Sequence, residues 1–231
     1  MKEDLAQVSY RFRMADGTGE RFDYRFRRDS FELVVDEAAF PEWAALGFHR
    51  CPHCSLDPAE HAFCPLALSI VDVVHRFDEL PSHAEVCLEV VTSERSYSKE
   101  TSVQSGMSSL MGLLMAGSGC PYMAPFRPMA RFHMPFATAE ETAYRVISMF
   151  VTALFVKGRK VSEESLEELN DIYRQAHIVN EWVARRLRAH VRTDSSVNAL
   201  IVLDMFATGI PYFMSDSLDY LRSLFFAYAD T

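Results

Sequence analysis

Two runs of alternating apolar and polar residues flank an Asp-Gly pair near the start of the chain. No other feature limits the fold as tightly. Val8-Ser-Tyr-Arg-Phe-Arg-Met14 alternates, and so does Arg21-Phe-Asp-Tyr-Arg-Phe-Arg27. A period of two places every second side chain on one face of a strand. The segment between them, Ala15-Asp-Gly-Thr-Gly-Glu20, holds Asp16-Gly17, a pair that tolerates the positive φ of a tight turn. The three pieces together predict an antiparallel hairpin. Phe31-Glu-Leu-Val-Val35 reads as a third strand. Ala84 to Val91 reads as another, with Val86, Leu88 and Val90 on one face, and Tyr97 to Thr101 extends it or returns along it.

From residue 66 onward helical spacing takes over, apart from those strands. A helix is expected from about Leu66 to Phe77. Gly106 to Ala116 is Met- and Leu-rich, with Gly117 placed as a helix C-cap, and its face of Met107, Met111 and Met115 reads as core. Thr138-Ala-Glu-Glu141 has the form of a capping box and opens a helix to about Lys157. The apolar stretch Val146 to Val156 within it predicts a buried helix. Ser162 caps a long helix to about Arg192. Its residues Leu166, Leu169, Tyr173, Ala176, Val179, Val183 and Leu187 recur at steps of three and four. Two further helices, about Ser195–Ala207 and Asp216–Tyr228, are expected on either side of Gly209-Ile-Pro211. The pattern is that of an α+β protein: an N-terminal antiparallel sheet with a hairpin, a cysteine-bearing loop, then a mostly helical C-terminal half. Residues 1–130 form the α+β region and residues 131–231 the helical region, with no flexible linker between them, so a single continuous domain also fits.

Charge and hydropathy exclude some classes of partner. The net charge of −9 repels phosphate backbones, and no basic stripe with interleaved aromatics offsets it, so nucleic acid is not expected. No apolar run reaches the roughly 18 residues that span a bilayer, so no membrane partner is expected. The first residues lack the apolar core of a signal peptide, which predicts a cytoplasmic protein with reduced thiols. The apolar C-terminal residues Leu221, Leu224, Phe225, Phe226 and Tyr228 exceed one narrow stripe and suggest a homodimer through the C-terminal helices. Nothing identifies a small-molecule ligand.

The sharpest chemical feature is the loop His49-Arg-Cys-Pro-His-Cys-Ser-Leu-Asp-Pro-Ala-Glu-His-Ala-Phe-Cys-Pro65. Cys51 and Cys54, two residues apart, can aim both sulfurs at one ion from a single turn, and Cys64 follows after nine intervening residues. Thiolates favour soft or borderline metals, and a closed tetrahedral site needs a fourth ligand. His49, His53 and His61 are near in sequence; Cys120, in Gly117-Ser-Gly-Cys-Pro-Tyr122, is distant. Cys120 is preferred because Cys51, Cys64 and Cys120 are each followed by proline. With ten prolines in 231 residues, chance supplies roughly 0.2 such pairs among the five cysteines. Proline stiffens the turn that presents the sulfur. Cys87 lacks the pattern and lies in a strand, so it reads as structural. Cys51, Cys54, Cys64 and Cys120 are therefore the expected metal ligands, with zinc expected and a [4Fe–4S] cluster as the alternative. Free buried cysteines and a redox dithiol are the competing readings.

Downstream, Arg127-Pro-Met-Ala-Arg-Phe-His-Met-Pro-Phe136 brings two arginines and His133 close behind Cys120. An enzyme using the cysteine cluster or a Cys120–His133 pair is the alternative function, against a plain proline-framed connector. The acidic start of the long helix (Glu163, Glu164, Glu167, Glu168) and its basic end (Arg185, Arg186, Arg188, His190, Arg192) match the helix dipole without any catalytic role. The combination of Cys-Pro-x-Cys, Ser105-Gly-Met-Ser-Ser-Leu-Met-Gly-Leu-Leu-Met115, Gly-Cys-Pro and Arg-Pro-Met-Ala-Arg-Phe-His resembles an uncharacterised bacterial family, a domain of unknown function. The resemblance covers most of the chain. It implies a bacterial, cytoplasmic origin and carries no activity or ligand.

Overall fold

A computed structural model describes residues 4–36, 40–77, 81–191 and 195–228; within the last segment the side chains of 206, 210–222 and 228 are not described. Strands β1 (Leu5–Met14) and β2 (Gly19–Arg27) form the expected hairpin, with Tyr10 opposite Phe22. Gly17 takes φ +86° in the turn, and the Asp16 carboxylate accepts the Thr18 amide at 2.9 Å. Strands β3 (Glu85–Thr92) and β4 (Ser96–Ser102) form a second hairpin. The sheet is antiparallel throughout, in the order β2-β1-β3-β4. Polar β4, with Lys99, Glu100 and five hydroxyls, makes an edge unattractive to a further strand.

One face of the sheet carries the core. Val8, Tyr10 and Phe12 of β1, Phe22 and Phe26 of β2, and Val86, Leu88 and Val90 of β3 are all buried. They meet helices α1 (Pro65–Phe77) and α2 (Val103–Gly117). The Phe12 ring lies 4.9 Å from that of Phe77 at a steep angle, a favourable aromatic geometry. Gly106 lets α2 approach closely, since a Cβ there would lie 2.6 Å from the Phe12 ring and 2.9 Å from Leu88. β4 runs into α2 without a loop; Ser102 ends the strand and caps the helix by accepting the Ser105 amide. Met107, Met111 and Met115 are fully enclosed core residues.

The rest is helical: α3 (Arg127–Arg131), α4 (Ala139–Val156), α5 (Glu163–Arg188) and α6 (Ser195–Leu224). The capping box at Thr138 and Glu141 is present, and Ser162 caps α5. The same core runs from the sheet through α1 and α2 into Ala176, Val179, Val183 and Leu187 of α5 and Ala199 and Leu200 of α6.

Four expectations are corrected. Phe31–Val35 is not a strand: Phe31 takes φ +54°, and only Leu33 bridges back to Phe26, its amide serving the Gly117 carbonyl. The turn is fixed by burial of the Phe31 ring, stacked 4.6 Å from Phe26. The left-handed residue after α2 is Gly119, at φ +86°, whereas Gly117 stays helical and lets the Phe26 ring approach. Helix α4 is buried along one stripe only, Val146, Phe150 and Leu154, while Phe155 and Val156 are exposed. α6 continues through Gly209-Ile-Pro211 as one helix, because proline removes a single N–H donor and leaves the neighbouring turns helical. The long helix ends at Arg188; Arg192 lies outside the described residues. No helix among the described residues is long and apolar enough to cross a membrane.

Candidate functional site

The cysteine loop is tied at its base. Residues 44–46 and 62–64 lie side by side: the Leu46 amide donates to Ala62 and the Cys64 amide to Ala44, each at 2.9 Å. Inside the loop the Cys54 amide donates to the Cys51 carbonyl at 3.1 Å, closing the turn that carries both thiols. Arg50 braces its outer side by donating to the carbonyls of Cys54 and Leu56. Cys64 is the residue just ahead of α1. Its carbonyl accepts the Leu68 amide, and Pro65 takes the first helical position, where its missing N–H costs nothing. Cys120 follows the Gly119 turn beyond α2; its amide donates to the Ser118 hydroxyl, and its carbonyl accepts the amides of Met123 and Ala124. Each of the three prolines after cysteine thus stands at the start of a tight turn or a helix.

These elements bring Cys51, Cys54, Cys64 and Cys120 to the wall of one small cavity of about 20 Å³, together with Pro65, Tyr122, Trp182 and Arg186. All four thiols are free and half-buried. Burial pushes the Cys51 thiol up to about 12, and the neighbouring Cys64, Cys120 and Cys54 sulfurs add to it. Burial likewise pushes Cys120 up to about 11, against the pull of the Tyr122 amide. Among the described residues, no three or more His, Cys, Asp or Glu side chains are drawn together as a ready coordination sphere.

The nearby histidines divide. His49 lines the same cavity, in a left-handed backbone conformation at φ +44°. His53 packs edge-on against the Tyr122 ring at 4.1 Å, while the Tyr122 hydroxyl donates to the His53 carbonyl. Burial holds the His53 ring below its usual range. His61 points to solvent. Cys87, on β3, is apart from the cluster; its sulfur lies 3.8 Å from the Ser98 hydroxyl across the strand pair. Cys120 and His133 line different cavities, and the His133 Nε2 meets the Tyr10 hydroxyl.

Sequence reasoning missed Arg186. It belongs to the basic end of α5, yet it is 2% exposed while Arg185 and Arg188 reach solvent. Its guanidinium donates to the carbonyls of Trp43 and Ala45, which anchors the base of the cysteine loop to α5. Burial lowers its pKa, and the neighbouring Cys64, Cys51 and Cys54 oppose the shift. The signal was in the spacing: Arg186 falls on the stripe of Val179, Val183 and Leu187, where a cation needs a buried partner.

A family model described as Domain of unknown function (DUF6901) matches residues 8–226. No curated protein matches the chain, and no solved structure matches it.

Proposed function

We propose, for a chain that belongs to the DUF6901 family and takes no activity from it, that the protein binds one metal ion through Cys51, Cys54, Cys64 and Cys120, and that the ion has a structural role. The observation that carries this reading is the meeting of four thiols from three separate segments at one cavity beside a buried arginine. Four thiolates around a divalent ion leave a net charge of −2, which is costly to bury alone. Arg186 supplies a compensating positive charge from the facing helix. Zinc is preferred to a [4Fe–4S] cluster, because a cavity of about 20 Å³ suits a single ion better than a cage of iron and sulfide. The bound ion would pull the sulfurs to about 2.3 Å from itself. It would fasten the cysteine loop, the start of α1 and the turn after α2 into one unit against α5. Such a site belongs in a reducing compartment such as the cytoplasm.

Closing the 55 residues between Cys64 and Cys120 costs chain entropy that grows only slowly with length. A metal-binding free energy of order 10 kcal/mol exceeds it. Elemental analysis of the full chain, purified anaerobically, should give one zinc per chain and no broad absorbance near ~400 nm, the mark of an iron–sulfur centre. Cys120→Ala should lower metal content and thermal stability together, and Cys87→Ala should leave the metal in place. Metal-free protein of full stability overturns the proposal. Full metal in Cys120→Ala with loss in His49→Ala would place the site within the loop. A fourth coordination position left open to water would turn the site from a structural to a catalytic one.

A further inference from the structure

A second cavity, unrelated to the cysteines, lies among α2, α4, α5, α6 and the connector between α2 and α4. Its volume of about 380 Å³ is within the range of roughly 300–1,000 Å³ typical of small-molecule sites. Leu113, Met123, Phe126 and Leu203 give it an apolar body. Two cations, Arg145 and Lys99, line it, and no carboxylate does among the described residues. Asn180, 3% exposed, also lines it, and its side-chain oxygen is buried without a hydrogen-bond partner.

Two of the polar groups, Arg145 and Tyr173, reach the same residue, Met129. The Arg145 guanidinium donates to the carbonyls of Met129 at 2.9 Å and Phe132 at 3.2 Å, which fixes its direction without neutralising it. Glu141 acts on its charge from a distance, and it is held by the Thr138 amide at the cap of α4. Among the described residues the Tyr173 hydroxyl meets the Met129 sulfur, at 4.0 Å. A half-buried cation with no ion-pair partner among the described residues, beside a hydroxyl with a weak acceptor, has spare capacity for one anionic group.

We infer that this cavity binds a medium-chain monocarboxylate, with its carboxylate on Arg145 and Tyr173 and its chain along the apolar wall. A single guanidinium with two bonds already committed suits a monoanion better than a phosphate dianion, which calls for more donors. Lys99, on the exposed strand β4 at the cavity's rim, adds attraction for an entering anion.

Isothermal titration of the full chain with decanoate below its micellar concentration tests this, with decan-1-ol and decyltrimethylammonium as probes of equal chain length. Decanoate should bind saturably, one per chain, at least about tenfold more tightly than either. Arg145→Gln should weaken decanoate at least about tenfold and leave decan-1-ol nearly unchanged. Arg145 also holds the connector, so Ala137→Phe, which fills the cavity from its wall and leaves Arg145 in place, is the second variant. It should weaken both decanoate and decan-1-ol. Unchanged decanoate affinity in either variant, shown folded by circular dichroism, overturns the proposal. So does equal binding of the ammonium probe, or no saturation by wild type at millimolar decanoate.

Discussion

His133 should make the protein sensitive to mild acid. Its imidazole is enclosed by protein where it does not face the large cavity, and its Nε2 meets the Tyr10 hydroxyl, which also lies 3.0 Å from Ser109. Burial, helped by the positive charge of Arg145, pushes the ring down to about 3 from an ordinary value of 6.5. The unfolded chain therefore binds a proton near pH 6.5 that the folded chain refuses until about pH 3. The stability this represents is complete above pH 6.5 and is lost as the pH falls through that window. At about 1.36 kcal/mol per unit, the whole window is worth at most about 5 kcal/mol, and by pH 5 at most about 2 kcal/mol has gone. Water entering the cavity screens the ring, so we expect about 1 kcal/mol at pH 5. Urea unfolding at pH 7.5 and pH 5 measures it, comparing wild type with His133→Gln, which keeps a hydrogen-bonding group for Tyr10 and cannot titrate. Groups shared by both proteins cancel in the difference. The variant should lose less stability than wild type on going to pH 5. Equal losses in the two proteins would refute the argument, because they would mean that His133 takes up its proton in the folded state.

Further outcomes follow from the same structure. Gly106→Ala should destabilise by about 1 kcal/mol in denaturant melts: overpacking against Phe12 and Leu88 costs about 1–3 kcal/mol, and the better helix former returns about 1. Reversing Glu163 and Glu164, in the first turn of α5, to lysine should cost a few tenths to about 1 kcal/mol at low salt and less at high salt. Zinc affinity, read by competition with a chromophoric chelator, should rise with pH between 6 and 8, since protons must leave thiols whose pKa burial has raised. The exposed Leu224 and Phe226 near the C-terminus support a homodimer. Analytical ultracentrifugation at micromolar concentration should show it, and Phe226→Lys should give monomers.

The sheet was readable because its cues are local. Strand alternation and an Asp-Gly turn lie within about twenty residues, and each helix cap falls within four. Phe31–Val35 misled because its β-forming composition says nothing of the Phe26 ring that draws Phe31 into a turn. Pro211 misled because a breaker's cost was treated as decisive for a helix that continues on both sides of it. The thiols are a different case: Cys120 comes from a distant segment and lines the cavity that the other three line, a contact that local periodicity cannot indicate. What stayed hidden was chemistry made by tertiary contact. His133 and Arg145, twelve residues apart, meet at a cavity whose walls come from four helices and the connector. Arg186 was hidden for a simpler reason: the helix dipole accounts for a cation at the end of α5 whichever face it lies on.

The order of the strands also sets how this chain must assemble. β1 with β2, and β3 with β4, are each neighbours in sequence, so each hairpin can form within microseconds of its residues being free. The seam between β1 and β3 is different: Val8 lies opposite Thr92 and Tyr10 opposite Val90, about eighty residues away. Everything between, including the cysteine loop and α1, is a loop that this seam must close. Such non-local pairing slows folding, because its entropy is lost before its contacts are gained. On the ribosome, the β1 side of the N-terminal hairpin would wait as an open edge until β3, ending at Thr92, has been made. The seam should therefore be the slow step of refolding, and the early hairpin the part of the chain most in need of protection from its neighbours.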